Sequence, residues 1–235
     1  MYKNQPYVDI KATVEFADKN KTVRLKIAVP KGFENGKTIG DGPFVWEEKP
    51  NCEISFQKWV GVQNQAGQVF SVANDRVYAG KAEDGYIHLT LLRGAGHCFH
   101  PIPNRELYPQ DRYLPRIDCG RYVYNFRLYK GSMYEVNTVA ESFNQLPYAV
   151  NIFPVGKEEM EYKGIRMEGD VVLTTVKASG QGRYVFRVYN PCESTKPFKI
   201  YLGERGFSFE IKKREVISLV YENGEITLFQ DQMPV

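Results

Sequence analysis

Two stretches near the N-terminus alternate apolar and polar residues with a period of two, and this pattern limits the possible folds more than any other feature of the chain. Over residues 8–16, Val8, Ile10, Ala12, Val14 and Phe16 share one side, while Asp9, Lys11, Thr13 and Glu15 share the other. Val23, Leu25, Ile27 and Val29 repeat the pattern, with Arg24 and Lys26 facing outward, until Pro30 stops it. Successive side chains of a strand point to opposite faces, so each stretch reads as a half-buried strand. Asp18, Lys19 and Asn20 supply turn residues between them, which predicts an antiparallel hairpin. Composition agrees: 14 Phe, 16 Tyr, 20 Gly and 13 Pro favour strands and turns over helices.

Residues 31–51 hold four Gly and two Pro without any period and predict a long loop. Strands are expected near 52–62, 67–73 and 86–92, with AGKAEDG (79–85) as a turn-rich connection. Residues 94–120 are irregular, and their four prolines forbid a regular central strand. A strand over 121–129 places Tyr122, Tyr124, Phe126 and Leu128 on one face. Met133, Val136, Ala140 and Phe143 recur at helical spacing and predict one helix over 133–145, capped by Ser132 and ended by Pro147. Beyond KEEMEYKG (157–164), short strands are expected near 170–178, 183–190, 197–202, 207–211, 214–221 and 225–230. Strands separated by turns at this spacing predict a small sandwich of their own. The domain boundary is therefore placed near residue 163, giving domains of 1–163 and 164–235.

The 235 residues suffice for one or two domains. With 31 basic and 28 acidic residues the net charge is +3, which argues against a nucleic-acid partner bound through a basic arm. No apolar run approaches the ~20 residues of a membrane span, so no membrane partner is expected. The opening MYKNQPYVDIK lacks the apolar stretch and cleavage site of a secretory signal, which predicts a cytoplasmic protein. Cys52, Cys98, Cys119 and Cys192 are widely spaced and predict free, mostly packed thiols.

Several residues carry possible chemistry. His97, Cys98, His100 and Cys119 are zinc-ligand types, but without a second close pair the spacing predicts no metal site. No G-x-S-x-G occurs, and the glycines of GAG (94–96) and GQG (180–182) read as turn residues. Asp75, Asp84, Glu106, Asp111 and Asp118 cluster around the loops that flank strand 86–92. A glycosidase needs two carboxylates facing one bond; solvated loop acids and Asx turns account for each of these residues as well. Arg93, at the end of an apolar strand, can bind a carboxylate or sugar hydroxyls, or pin the loop that follows it. Trp59, Tyr78, Tyr108 and Tyr113 offer ring faces of the kind that stack on sugars.

Six elements, taken in order, resemble the C-terminal β region of glycoside hydrolase family 38 α-mannosidases. They are VDIKATVEF with KTVRLKIAVP (8–16 and 21–30), EISFQKWV (53–60), VANDRVYAG (72–80), YIHLTLLRGAG (86–96), DCGRYVYNFRLYKG (118–131) and AESFNQLP (140–147). The 31–51 loop and the 99–117 insert depart from that family's stretches. The resemblance implies an all-β chain: part of a large galactose-mutarotase-like β-sandwich (supersandwich), followed by a small C-terminal β-sandwich. It implies a non-catalytic portion that shapes the sugar site of an α-mannoside hydrolase, with Asn74, Asp75, Tyr78 and Arg93 as substrate-binding residues. The zinc ion, the aspartate nucleophile and the acid/base carboxylate then belong to an N-terminal catalytic domain, leaving this chain with no cofactor of its own. The expected partners are that domain and a glycan or mannoside. The alternative is a stand-alone carbohydrate-binding or interaction module. A partial sandwich exposes apolar edges, which predicts a homodimer or a complex with the missing half.

Overall fold

The computed structural model describes residues 5–43, 45–48, 52–96, 116–145, 147–150, 164–180 and 182–229. The chain divides into two compact units, Met1–Gly42 with Glu47–Lys130, and Pro43–Trp46 with Gly131–Val235. The boundary expected near residue 163 lies outside the described residues. Among the described residues the regular elements are one helix and strands, which pair antiparallel in both units. No helix among the described residues is long and apolar enough to cross a membrane.

The first unit begins with β1 (Tyr7–Phe16), β2 (Thr22–Ala28), β3 (Lys37–Asp41), β4 (Trp46–Glu48) and β5 (Ile54–Ser55). It continues with β6 (Trp59–Gln63), β7 (Val69–Asn74), β8 (Ala79–Glu83), β9 (Tyr86–Arg93) and β10 (Gly120–Gly131). One sheet has the order β1-β10-β7-β6-β3-β4 and the other β2-β9-β8-β5. Both line a single core: Val60, Val72, Tyr124 and Phe126 come from the first sheet, and Ile27, Ile87, Leu89 and Leu92 from the second. Each large apolar side chain buried this way contributes about 1.5–3 kcal/mol.

The faces of β1 and β2 are those read from the sequence, but the hairpin is not formed. β1 pairs with β10 from Tyr7↔Tyr129 to Phe16↔Gly120, and β2 pairs with β9 from Thr22↔Arg93 to Ala28↔Tyr86. The intervening turn, with Asn20 in the left-handed region, carries the chain from one sheet to the other. Ile10, Ala12, Val14, Val23 and Leu25 then meet in the common core. In a hairpin they would share one face of one sheet; in a sandwich each face covers the other.

Two segments expected as loops are partly strand. Residues 31–51 contain β3, which pairs with β6 through Thr38↔Val62 and Ile39↔Gly61. The AGKAEDG connection contains β8, which pairs with β9. In both, glycine serves close approach as well as turning. A Cβ on Gly36 would lie 2.5 Å from the Gln63 carbonyl oxygen, and one on Gly80 2.5 Å from the His88 carbonyl oxygen. Such contacts are compatible only with the missing side chain.

The second unit carries helix α1 (Met133–Asn144), followed by β11 (Ile165–Glu168), β12 (Val172–Ala178), β13 (Tyr184–Tyr189) and β14 (Lys196–Leu202). It ends with β15 (Arg205–Ile211), β16 (Val216–Glu222) and β17 (Glu225–Leu228). Ser132 caps α1 in a reciprocal box: its Oγ accepts from Glu135 N, and Ser132 N donates to the Glu135 carboxylate. Such a cap is worth about 0.5–2 kcal/mol. The buried stripe is Met133, Val136, Asn137 and Ala140. The sheets β11-β14-β15 and β12-β13-β16-β17 enclose Phe186, Val188, Phe198, Ile200, Ile211, Leu219 and Ile226. The six strands expected after the composition shift are all present, with β11 added.

Candidate functional site

The sequence-predicted site residues lie in the first unit, and the structure gives them different roles. Asn74 ends β7 and is 1% exposed. Its Oδ1 accepts from Arg76 N at 3.0 Å and Val77 N at 2.5 Å, and its Nδ2 donates to the carbonyls of Gln57 (3.3 Å) and Lys58 (3.4 Å). This is an Asx turn closed on both sides, and it uses the amide fully inside the protein. Asp41 holds the same strip of chain from the other side, with Lys58 N donating to its Oδ2 at 3.1 Å.

The turn presents Asp75, Arg76 and Tyr78. Asp75 reaches across to β10, where Asn125 N and Nδ2 donate to its two oxygens at 3.3 and 2.7 Å. The Arg76 guanidinium lies 3.4 Å from Asp75 Oδ1 and is about half exposed. Tyr78 is 62% exposed. Arg93, at the end of β9, donates its backbone N–H to Asp118 Oδ2 at 2.9 Å, and its guanidinium has no partner among the described residues. Asp118 makes this contact from the left-handed region.

Tyr124 links these two pairs. It is buried, and its hydroxyl donates to the Leu91 carbonyl at 3.2 Å. Burial pushes the phenol above its ordinary range; the Asp118 carboxylate pushes the same way, and the Arg76 guanidinium opposes. Asp75, Arg76 and Asn125 thus form one group beside the turn braced by Asn74, Arg93 and Asp118 form a second, and the Tyr124 phenol feels the charges of both. Arg76 and Asn125 are the additions to the sequence reading. Asn125 was visible there as a polar residue between the inward-facing Tyr124 and Phe126.

Other sequence candidates fall elsewhere. Trp59 is fully buried in the core, which removes it as a stacking face. Asp84 sits in the β8–β9 turn, at the other end of β8 from Asp75, so these two carboxylates do not face one bond. His97, Cys98, His100, Glu106, Tyr108, Asp111 and Tyr113 lie outside the described residues. Among the described residues, no three His, Cys, Asp or Glu side chains come together as a metal-ligand group.

The thiols also differ from the expected packed state: Cys52 and Cys119 are exposed, and Cys192 is partly buried. Burial raises the pKa of Cys192; the Asp170 and Glu193 carboxylates add to this against the opposing Lys196 ammonium. A maleimide at neutral pH is therefore expected to label Cys52 and Cys119 well before Cys192, as read by peptide mass spectrometry. Equal labelling of all three would contradict the described burial.

Chemically, these groups offer the Asp75 carboxylate, which accepts from Asn125 and Arg76, two guanidinium groups and an exposed phenol ring. These groups bind and orient polar ligands; none is a nucleophile held by a base. No family model matches the chain. No curated protein matches it in sequence. A solved structure of a protein in the glycosyl hydrolase family 38 from Enterococcus faecalis is similar to it, with a TM-score of 0.77 and 17% sequence identity. The two share a fold. The likeness covers 94% of this chain but only 29% of the other, so the chain spans less than a third of that protein's length.

Proposed function

We propose that this chain is the C-terminal, non-catalytic β portion of an α-mannosidase-like glycoside hydrolase. One observation carries the reading: the likeness to a glycosyl hydrolase family 38 protein covers 94% of this chain and 29% of that one. The in-order motifs of the sequence add to it. In this reading the Asn74–Tyr78 turn and Arg93 frame the sugar site. Asp75 and the two guanidinium groups bind sugar hydroxyls, and Tyr78 lies against a ring face. The bond-breaking carboxylates and the zinc belong to a separate N-terminal portion, which is this chain's partner together with the mannoside.

The pure chain is expected to leave an aryl α-mannoside intact with or without zinc, and to restore turnover when mixed with the catalytic portion. In that assembly, Arg93→Ala or Asp75→Ala lowers kcat/KM by about tenfold or more, the loss expected when a charged hydrogen-bonding group is removed from a bound substrate. Zinc-dependent turnover by the chain alone would overturn the reading. The exposure of Tyr78 favours a second reading, a stand-alone sugar-binding module. Calorimetric binding of short mannosides by the chain alone, lost in Tyr78→Ala, would select it.

A further inference from the structure

A different cleft lies at the other end of β8. It encloses about 440 Å³ between the end of β2, the approach to β3 and the β8–β9 turn. Ala82 and Glu83 at the end of β8 line it, whereas the Asn74 turn precedes the start of that strand at Ala79, about 10 Å away along the strand at ~3.3 Å per residue. Its volume falls within the range of about 300–1,000 Å³ found for small-molecule clefts.

Thr38 lies in its wall at 5% exposure, and its hydroxyl makes no hydrogen bond among the described residues. The cleft is the direction from which a partner can come. Around Thr38 stand Asn35 and Asp84, whose side chains also have no partner among the described residues. Asp84 is held with φ 52° beside Gly85 with φ 75°, as a two-residue hairpin turn with both central residues left-handed requires. Glu34 accepts from Gly32 N through Oε2 at 2.7 Å, and the backbone N–H groups of Glu34, Gly32 and Phe33 hold its carboxyl below the usual range, so it faces the cleft as a carboxylate acceptor. Glu83, also in the lining, is engaged by Lys81.

The lining is therefore rich in acceptors. No lysine or arginine belongs to it, which disfavours phosphates and carboxylates. The acids do not converge as a metal-ligand group. Val29 and Phe33 add an apolar wall suited to the C–H face of a ring. From this arrangement we infer that the cleft binds a monosaccharide-sized polyol carrying no negative charge, whose hydroxyls donate to Thr38, Asp84, Glu34 and Asn35.

The test is amide-shift NMR on the full chain, titrated separately with D-mannose, D-glucosamine and glucose 6-phosphate. The expected result is saturable shifts at residues 34–38 and 83–86 with the first two sugars, and at least tenfold weaker binding of the phosphate. Thr38→Val, which removes only the hydroxyl, is expected to keep the fold at equal or higher stability and weaken binding about tenfold. Asp84→Asn is expected to do the same, because asparagine tolerates the left-handed turn. Absence of saturable shifts with both D-mannose and D-glucosamine, equal binding of glucose 6-phosphate, or wild-type binding by Thr38→Val would each overturn the inference. The titration reads this cleft on the chain alone, so its outcome is independent of the catalytic assay above.

Discussion

Asn190→Ala is expected to destabilise the second unit by about 3 kcal/mol, since it strips four buried or partly buried backbone groups of their partner at once. Asn190 is 0% exposed. Its Nδ2 lies 2.8, 2.9 and 3.2 Å from the carbonyls of Lys212, Ser194 and Ile211, and its Oδ1 accepts from Cys192 N at 2.9 Å. One side chain thus ties the turn after β13 to the end of β15. Asn190→Asp does not rescue the loss: it keeps the bond to Cys192 N but sets a charge against three carbonyl oxygens. Hydrogen exchange followed segment by segment should show protection falling across 184–222 while β6 and β7 stay protected. Wild-type protection in both variants would refute this role.

Asn74→Ala is expected to cost about 3 kcal/mol in the first unit by the same mechanism. Here the balance of bonds is reversed. The short contacts are those that Oδ1 accepts, at 2.5 and 3.0 Å, and the long ones are those that Nδ2 donates, at 3.3 and 3.4 Å. Asn74→Asp keeps the short pair and lies beside the Arg76 backbone, so it should recover most of the lost stability. Asn190→Asp should recover none. Chemical denaturation of the four variants decides the matter. Tyr78→Ala, at an exposed position, should stay within about 0.5 kcal/mol of wild type. A stability loss for Tyr78→Ala as large as that for Asn74→Ala would mean that Tyr78 is structural and does not present a free face to a ligand.

These two asparagines mark how far the candidate site could be read in advance. Asparagine followed by aspartate or proline is a turn former by its residue type alone, and a turn stands at both positions. The signal does not say where the amide points. Asn74, grouped with Asp75, Tyr78 and Arg93 by family likeness, faces inward and braces the turn that carries the others. Asp75 and Arg93 each gained a partner, Asn125 and Asp118, 50 and 25 residues away. Only the packing of β10 against its neighbours could bring those pairs together.

What the linear order of residues determined by itself was local. Alternation set which side of β1, β2 and β10 is apolar, and Ser132 with Glu135 set the start of α1. Turn residues set the spacing of the strands in the second unit. What only the tertiary structure decided was which strand lies beside which: β1 against β10, with Asp9 bonded to Arg127 across 118 residues, and β2 against β9. The physical reason is that a strand's edge is made of backbone N–H and C=O groups common to nearly every residue. Side chains choose its faces, but its edge accepts any partner whose register keeps those faces buried, and the whole chain must pack before one partner wins.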